Sequence, residues 1–398
     1  MPPHRVALFT THPVQYHVPW YRALADHASL DLTVYYASRR GVEMALDPMF
    51  NRAFAWDLPL LDGYRYEFLP NRARRPNVET YRGCDTPIVG ELLAQKQFDA
   101  AIVWGWYTRS AWQAYRGCWR TGTPYLVRGE SVLLVDRPWY VRALKRLVLK
   151  RLFARAAAFL AIGTRNTEFY LDYGVPRGKL FSAPYCVDND YFARRAAAVR
   201  ARRDEVRREL GIRPDAFVFL FCGRFFGRKR PELAIRAVSL LPPSLNVALI
   251  AVGDGPSHAG CRALAAGSPH PVVLPGFMNQ SQLPQFYAIS DALLVPSDWE
   301  TWGLVVNEAF ACGLPAIVTD RVGCAPDLIV EGVTGYVVRR GEAAALAAAM
   351  RVLAEDRERA GRMGAAAAQR ASDFTIARSA RCAAEAVAWV CAQGRGCG

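Results

Sequence analysis

Short apolar runs recur along the whole chain, separated by stretches whose apolar positions follow helical spacing. The first series predicts strands at residues 6–10, 32–36, 66–69, 100–104, 125–127 and 159–162, with a helix at 20–26 entered from the loop Thr11 to His17. A second series predicts strands at 217–222, 247–252, 272–274, 292–295, 316–318 and 336–338. Helices are predicted between them at 231–241, 282–289, 303–312 and 342–353. Alternation of this kind builds parallel, doubly wound sheets. A basic, Ala-rich stretch at 192–203 reads as the connector between the series, 374–389 as a final helix and 393–398 as a frayed tail. Residues 38–63 break the pattern: they are rich in aromatics and turn residues, show no regular period and exceed an ordinary connection, which points to a functional loop.

The most informative stretch is 292–315. The apolar run Ala292-Leu293-Leu294-Val295 stops at Pro296, a polar and aromatic turn follows, and a helix runs from Gly303 to Cys312 before Gly313 and Pro315 end it. Glu300 therefore sits in the turn at the helix mouth and Glu308 inside the helix. The N–H groups near Gly303, Leu304 and Val305 lack helical acceptors and form a natural anion site. An anion site flanked by two carboxylates suits a ligand that carries both phosphate and hydroxyl groups. Taken alone, the two acids could equally be a cap and a solvated helix residue.

Glu300, seven intervening residues and Glu308, with Gly303-Leu304 between and Glu-Ala-x-Ala-x-Gly-x-Pro after, resemble the signature of retaining family-4 glycosyltransferases of the GT-B fold. That resemblance extends to bacterial enzymes of polysaccharide and glycolipid assembly. It implies two Rossmann-like domains facing across a crevice: 1–188 for the acceptor, 189–373 for the nucleotide sugar, and a helix in 374–398 that packs back on the first domain. It also implies that Glu308 binds the donor ribose and Glu300 holds sugar hydroxyls. The backbone at Gly276, Phe277 and Met278 would face the base.

A second site follows strand 217–222, where Gly223-Arg224-Phe225-Phe226-Gly227-Arg228-Lys229-Arg230 crowds four basic residues before Pro231. Arg and Lys suit the charge that grows on a departing diphosphate, whereas a solvated basic loop is the plain alternative. The resemblance assigns Arg224 and Lys229 to the diphosphate, beside Gly223, and leaves Arg228 and Arg230 as flanking surface charge. It further implies retention of configuration without a metal, the nucleoside diphosphate sugar being the only co-substrate. Asp188-Asn189-Asp190 reads as a turn or cap in a linker rather than a metal motif. Gly253-Asp254-Gly255-Pro256 matches the family loop beneath the nucleotide.

The first half departs from the family. Relatives often carry a Gly-Gly pair after the first strand, and here Thr10-Thr11-His12-Pro13 has none. His12 and His17 either touch phosphate or acceptor, or pack. Arg128-Gly129-Glu130-Ser131 stands where many relatives place a His, which makes Glu130 a candidate for sugar or acceptor contact.

At 398 residues the chain exceeds one ordinary core. No run of about 18 apolar residues predicts a membrane span, and no signal-peptide pattern opens the sequence. The ten cysteines lack any Cys-x-x-Cys pair and read as reduced, buried thiols, so a cytoplasmic location is expected. A formal charge of +14 invites an anionic partner, but Arg and Ala are abundant throughout and no nucleic-acid recognition motif is present. Residues 137–155 concentrate seven basic side chains and no acidic one, with Val141, Leu144, Val148 and Leu152 at helical spacing. Packing on the sheet accounts for that apolar set; the basic face beside Trp139 and Tyr140 also suits an anionic lipid surface on the inner face of a cell membrane. A lipid-linked or free sugar acceptor fits either case. The competing readings are a nucleotide-sugar isomerase or hydrolase on the same fold, and a non-catalytic nucleotide-sugar-binding subunit.

Overall fold

The computed structural model describes residues 2–47, 52–135 and 138–395. Two compact units emerge: Met1–Ala45 with Leu58–Tyr185 and Ile376–Gly398, and Leu46–Asp57 with Cys186–Thr375. Of the irregular loop expected at 38–63, residues 48–51 lie outside the described residues, as do Arg137 and the tail 396–398.

The first unit holds a seven-stranded sheet, in spatial order Arg65–Phe68, Leu30–Tyr36, His4–Thr10, Ala100–Trp104, Tyr125–Arg128, Ala158–Ala161 and Leu180–Ser182. Its recorded pairs are all parallel, for example Val6 opposite Leu32 and Ala100. The second unit holds a six-stranded sheet in the order Val272–Gly276, Val247–Val252, Phe217–Cys222, Ala292–Val295, Ala316–Thr319 and Gly335–Val338, again with parallel pairs. The central strands read as unbroken apolar runs because helices bury both faces of such a sheet.

In each sheet the strand order reverses once, between His4–Thr10 and Ala100–Trp104 in the first and between Phe217–Cys222 and Ala292–Val295 in the second. Chain connections leave these two neighbours in opposite directions, so a crevice opens outside their carboxyl ends. That is where doubly wound sheets bind ligands.

Three expectations need correction. The stretch read as a connector is the helix Asn189–Arg200: the Asp188 carboxylate caps it by accepting from Tyr191 N at 2.9 Å, and Phe192 and Ala196 bury one face. Its basic composition disguised a good helix former. The helix Arg357–Ala371 and the short edge strand Leu180–Ser182 escaped notice, the first for its polarity and the second for its brevity. The helix Trp139–Ala154 does form, but Leu144 and Val148 are 64% and 39% exposed; Leu149, Leu152 and Phe153 are what it buries. The apolar stripe read from spacing therefore misplaced the packed face.

The final helix Ile376–Arg395 belongs to the first unit, where Trp389 packs on Phe181 with ring centroids 5.4 Å apart. All nine described cysteines are free thiols. No helix among the described residues is long and apolar enough to cross a membrane.

Candidate functional site

In the second unit the loops after Phe217–Cys222 and Ala292–Val295 flank the point where strand order reverses. The second of these loops carries Glu300, which is 4% exposed. Its Oε1 accepts from Ser297 Oγ at 2.8 Å and meets Lys229 Nζ at 2.5 Å, while its backbone N–H donates to Arg321 O at 3.0 Å. Ser297 is fixed in turn by Thr319 Oγ1, which donates to its carbonyl at 2.6 Å. Glu300 Oε2 has no partner among the described residues and stays available to a ligand hydroxyl. An ammonium has three donors, so Lys229 keeps capacity for phosphate oxygens while orienting the carboxylate.

The turn ends at Gly303, whose φ of +107° favours glycine and whose added Cβ would press on Val322 Cγ1 at 3.0 Å. The helix Leu304–Ala311 starts there, with the N–H groups of Leu304 and Val305 directed out of its first turn. It stops at Gly313, where φ is +73°. Glu308 is fully buried on this helix, and its Oε2 accepts from Tyr287 Oη at 2.5 Å. Cys222 lies close by, its thiol pushed up to about 12 by burial first and then by the Glu308 charge.

The basic loop is a short 3-10 turn, Gly227–Lys229, between strand and helix. Arg224 sits half-buried in the turn just after the strand. Arg228 and Arg230 are not loose surface charges. The Arg228 guanidinium lies 4.1 Å from the Trp299 ring centroid, and Arg230 pairs with Glu232 at 2.9 Å while holding φ at +54°. Both tie the basic loop to the Asp298-Trp299-Glu300 turn: Arg230 Nη1 lies 3.7 Å from Asp298 Oδ2, and Asp298 N donates to Arg228 O at 2.8 Å. Gly253 serves the same junction, since a Cβ there would sit 1.8 Å from Gly223 O.

The first unit gathers a different set at its own reversal point. His17, the last residue before the helix Val18–Ala25, stacks on Trp104 with centroids 4.0 Å apart. Its Nε2 lies 2.6 Å from Tyr185 Oη and 3.6 Å from Glu130 Oε1. Tyr185 Oη donates to Glu130 Oε1 at 2.5 Å, and Trp104 Nε1 donates to the same oxygen at 3.1 Å. Since Tyr185 spends its proton on Glu130, His17 donates from Nε2, and its buried Nδ1 is left bare. Burial, then Arg128 and His12, hold the His17 pKa well below its usual value, so the ring is neutral near pH 7. Burial and Glu130 drive the Tyr185 pKa far up, which keeps its hydroxyl a donor.

Beneath them Arg128 is 2% exposed, its Nη1 donating to Ala183 O at 3.1 Å and its guanidinium 4.5 Å and 4.9 Å from the Trp20 and Trp104 centroids. Glu130 Oε2 has no partner among the described residues, and a third of the side chain is exposed.

The predicted residues thus fall into two groups. Lys229, Glu300, Gly303, Leu304, Val305 and Glu308 surround one helix start, with Gly223 and Arg224 at the adjoining strand end; Phe277 follows the edge strand. His12, His17 and Glu130 cluster in the first unit. Sequence reasoning missed Ser297, Thr319 and Tyr287 beside the first group, and Trp104, Arg128 and Tyr185 beside the second. Tyr287 lies four residues into a short helix with no motif around it. The second cluster joins four separate stretches of chain, which no local spacing reveals.

Residues 202–370 match the family model described as "Glycosyl transferases group 1". A D-inositol 3-phosphate glycosyltransferase of Streptomyces avermitilis is 34% identical over 52% of this chain, a match spanning less than half (46%) of that relative's length. A second protein of that name, from Catenulispora acidiphila, is 27% identical across 96% of this chain and 94% of its own. Among solved structures, Anabaena HepE in complex with UDP superposes with a TM-score of 0.75 at 18% identity, over 97% of this chain and 99% of that one.

Proposed function

We propose that this chain, which has the GT-B fold and whose residues 202–370 match the glycosyl transferases group 1 model, moves a hexosyl group from a nucleoside diphosphate sugar to an acceptor hydroxyl with retention of configuration. The observation that carries the reading is the Lys229–Glu300 pair beside the Gly303 helix start, with the buried Glu308 four residues into the same helix. HepE was solved with UDP, which supports a nucleotide donor here.

In this reading the diphosphate lies on the N–H groups of Leu304 and Val305, with Lys229 and Arg224 opposing the charge that develops as the sugar–phosphate bond breaks. The cations are side chains, so no metal is required. Glu308 Oε1 accepts from the ribose hydroxyls while Tyr287 holds Oε2. Glu300 Oε2 accepts from a sugar hydroxyl and fixes the anomeric carbon. The acceptor oxygen attacks from the face the phosphate leaves, and the departing phosphate oxygen takes its proton. Water must stay out, which distinguishes a transferase from a hydrolase of the same fold. Glu130 Oε2, steadied by Tyr185 and Trp104, orients a hydroxyl of the acceptor or of the sugar.

The same reading docks the helix Trp139–Ala154 on anionic lipid at the inner face of a cell membrane, where a lipid-linked acceptor in surface-glycan assembly would be found. Trp139, Tyr140, Leu144 and Leu147 are more than half exposed on a helix that also presents Lys150 and Arg151 to solvent. An apolar strip rimmed by cations is the pattern of an interfacial helix.

The test supplies the protein with UDP-, GDP-, ADP- and dTDP-hexoses and a panel of hydroxyl acceptors, and follows the anomeric proton of the product by NMR. An α-linked donor giving an α-linked product supports the proposal. An inverted product, or free hexose formed as fast without acceptor, contradicts it.

A further inference from the structure

Residues 54–57 come from the N-terminal half of the chain, yet they belong to the second unit. They are held there by Asn279 and Ser281, to which the donor mechanism gives no task, and by the ring of Phe277. Asn279 Nδ2 donates to Ala55 O at 2.8 Å. The Asp57 carboxylate accepts from Ser281 Oγ at 2.5 Å and from Ser281 N at 3.1 Å, closing the short turn Gln280–Gln282. The Phe54 ring lies against Phe277 with centroids 4.7 Å apart, and Trp56 meets Phe54 edge-on at 5.0 Å. Phe54, Trp56 and Phe277 are all only half-buried.

The position of this aromatic trio matters. The loop at 277–281 leads into the helix Leu283–Ile289, and Tyr287 of that helix holds Glu308. The phosphate-facing groups stand at the ends of Phe217–Cys222 and Ala292–Val295. Moving outward across the sheet from them, the next strand ends are those of Val247–Val252 and then Val272–Gly276, where Phe277 begins. A ribose held by Glu308 with its phosphates toward Lys229 must direct its base away from those phosphates, toward this outer strand end. A planar heterocycle needs an aromatic or apolar face there, with few polar groups to set its orientation.

We propose that residues 54–57 are a component of the donor site: Trp56, Phe54 and Phe277 form the wall on which the nucleobase stacks, and Asp57 with the Ala55 carbonyl latch that wall to the loop at 279–281. The inference rests on the donor reading above and adds that a segment from the N-terminal half of the chain sets affinity for the base. The latch makes a further demand, because losing the Asp57 carboxylate should loosen the wall without removing any ring.

The test is calorimetric titration of the full chain with UDP, GDP, ADP and dTDP, and with ribose 5-phosphate and pyrophosphate as base-free probes. Trp56→Leu and Phe54→Leu should each weaken the best nucleoside diphosphate about tenfold or more, the loss expected when an aromatic platform is removed from a base. Asp57→Ala should weaken it less. None of the three should change binding of ribose 5-phosphate or pyrophosphate. Equal weakening of base-containing and base-free ligands, or no weakening at all, overturns the proposal while leaving the donor reading intact. Failure of the unaltered protein to bind any of the four nucleotides overturns both. Trp56→Phe, which keeps a packed ring, supplies a check independent of folding: nucleotide binding should quench tryptophan emission in the unaltered protein and quench it measurably less in this variant.

Discussion

The two strand-order reversals make an instructive pair. In the second unit the site is built by consecutive residues: strand, turn and helix from Ala292 to Gly313 supply Glu300, the Gly303 helix start and Glu308. In the first unit the same topological place is filled by His17, Trp104, Arg128, Glu130 and Tyr185, drawn from four separate stretches of chain and linked by side chains. The first arrangement is positioned by backbone and needs glycines at fixed places. The second is positioned by packing of aromatic rings around a buried guanidinium. In the proposed reading the former holds the nucleotide donor and the latter the acceptor.

The sharpest way to break that contrast is to remove the charge that should act on the leaving group. Lys229→Ala is expected to cut turnover at saturating donor by about 10²-fold or more, with a smaller loss of donor affinity, because the interaction strengthens as the bond breaks. Lys229→Arg should recover only part of the rate, since a planar fork does not replace a point charge whose partner, Glu300 Oε1, is fixed at 2.5 Å. Steady-state transfer together with direct titration of the sugar nucleotide separates the two effects. An unchanged saturated rate would make Lys229 a binding residue only.

A smaller effect tests the first unit. Tyr185→Phe removes the hydroxyl that donates to Glu130 at 2.5 Å and receives from His17. Acceptor KM should rise about tenfold, the loss of one hydrogen bond to a charged group, while nucleotide affinity stays as it was. A parallel loss of nucleotide affinity would mean that the two clusters do not divide the substrates between them.

Legibility differed for the same reason as architecture. Central strands such as Ala100–Trp104 and Phe217–Cys222 stand at the residues the apolar pattern predicts, because burial on both faces leaves an unbroken apolar run. Glu300, Gly303 and Glu308 were legible because they share one short stretch of chain. Tyr287 was not: its bond to Glu308 spans 21 residues and only folding brings the pair together. The exposed Leu144 and Val148 misled for a different reason. Apolar spacing reports a helix, but it cannot say which of two apolar stripes faces the sheet.

The smallest expected effect concerns pH. The folded protein holds His17 neutral well below the usual histidine pKa, chiefly by burial. As pH falls through about 6.5 the unfolded chain takes up a proton that the folded chain refuses, so this residue lowers stability toward acid and contributes nothing above neutrality. Replacing it by His17→Gln should flatten the fall in unfolding free energy between pH 7 and 5, by at most about 1.4 kcal/mol per pH unit for one proton, and with it the decline of melting temperature. A decline as steep in the variant as in the parent would place His17 in ready contact with water.

The central claim is that the second unit is a metal-independent nucleotide site read by Glu308, and one titration tests it most directly. Calorimetry of the unaltered protein and of Glu308→Ala with UDP, GDP, ADP and dTDP, all in EDTA, should show saturable binding of at least one nucleotide to the parent and about tenfold or greater weakening in the variant, as expected when a fully buried carboxylate no longer meets the ribose. No binding in EDTA that returns with added divalent metal, or equal affinity in the two proteins, would contradict the account.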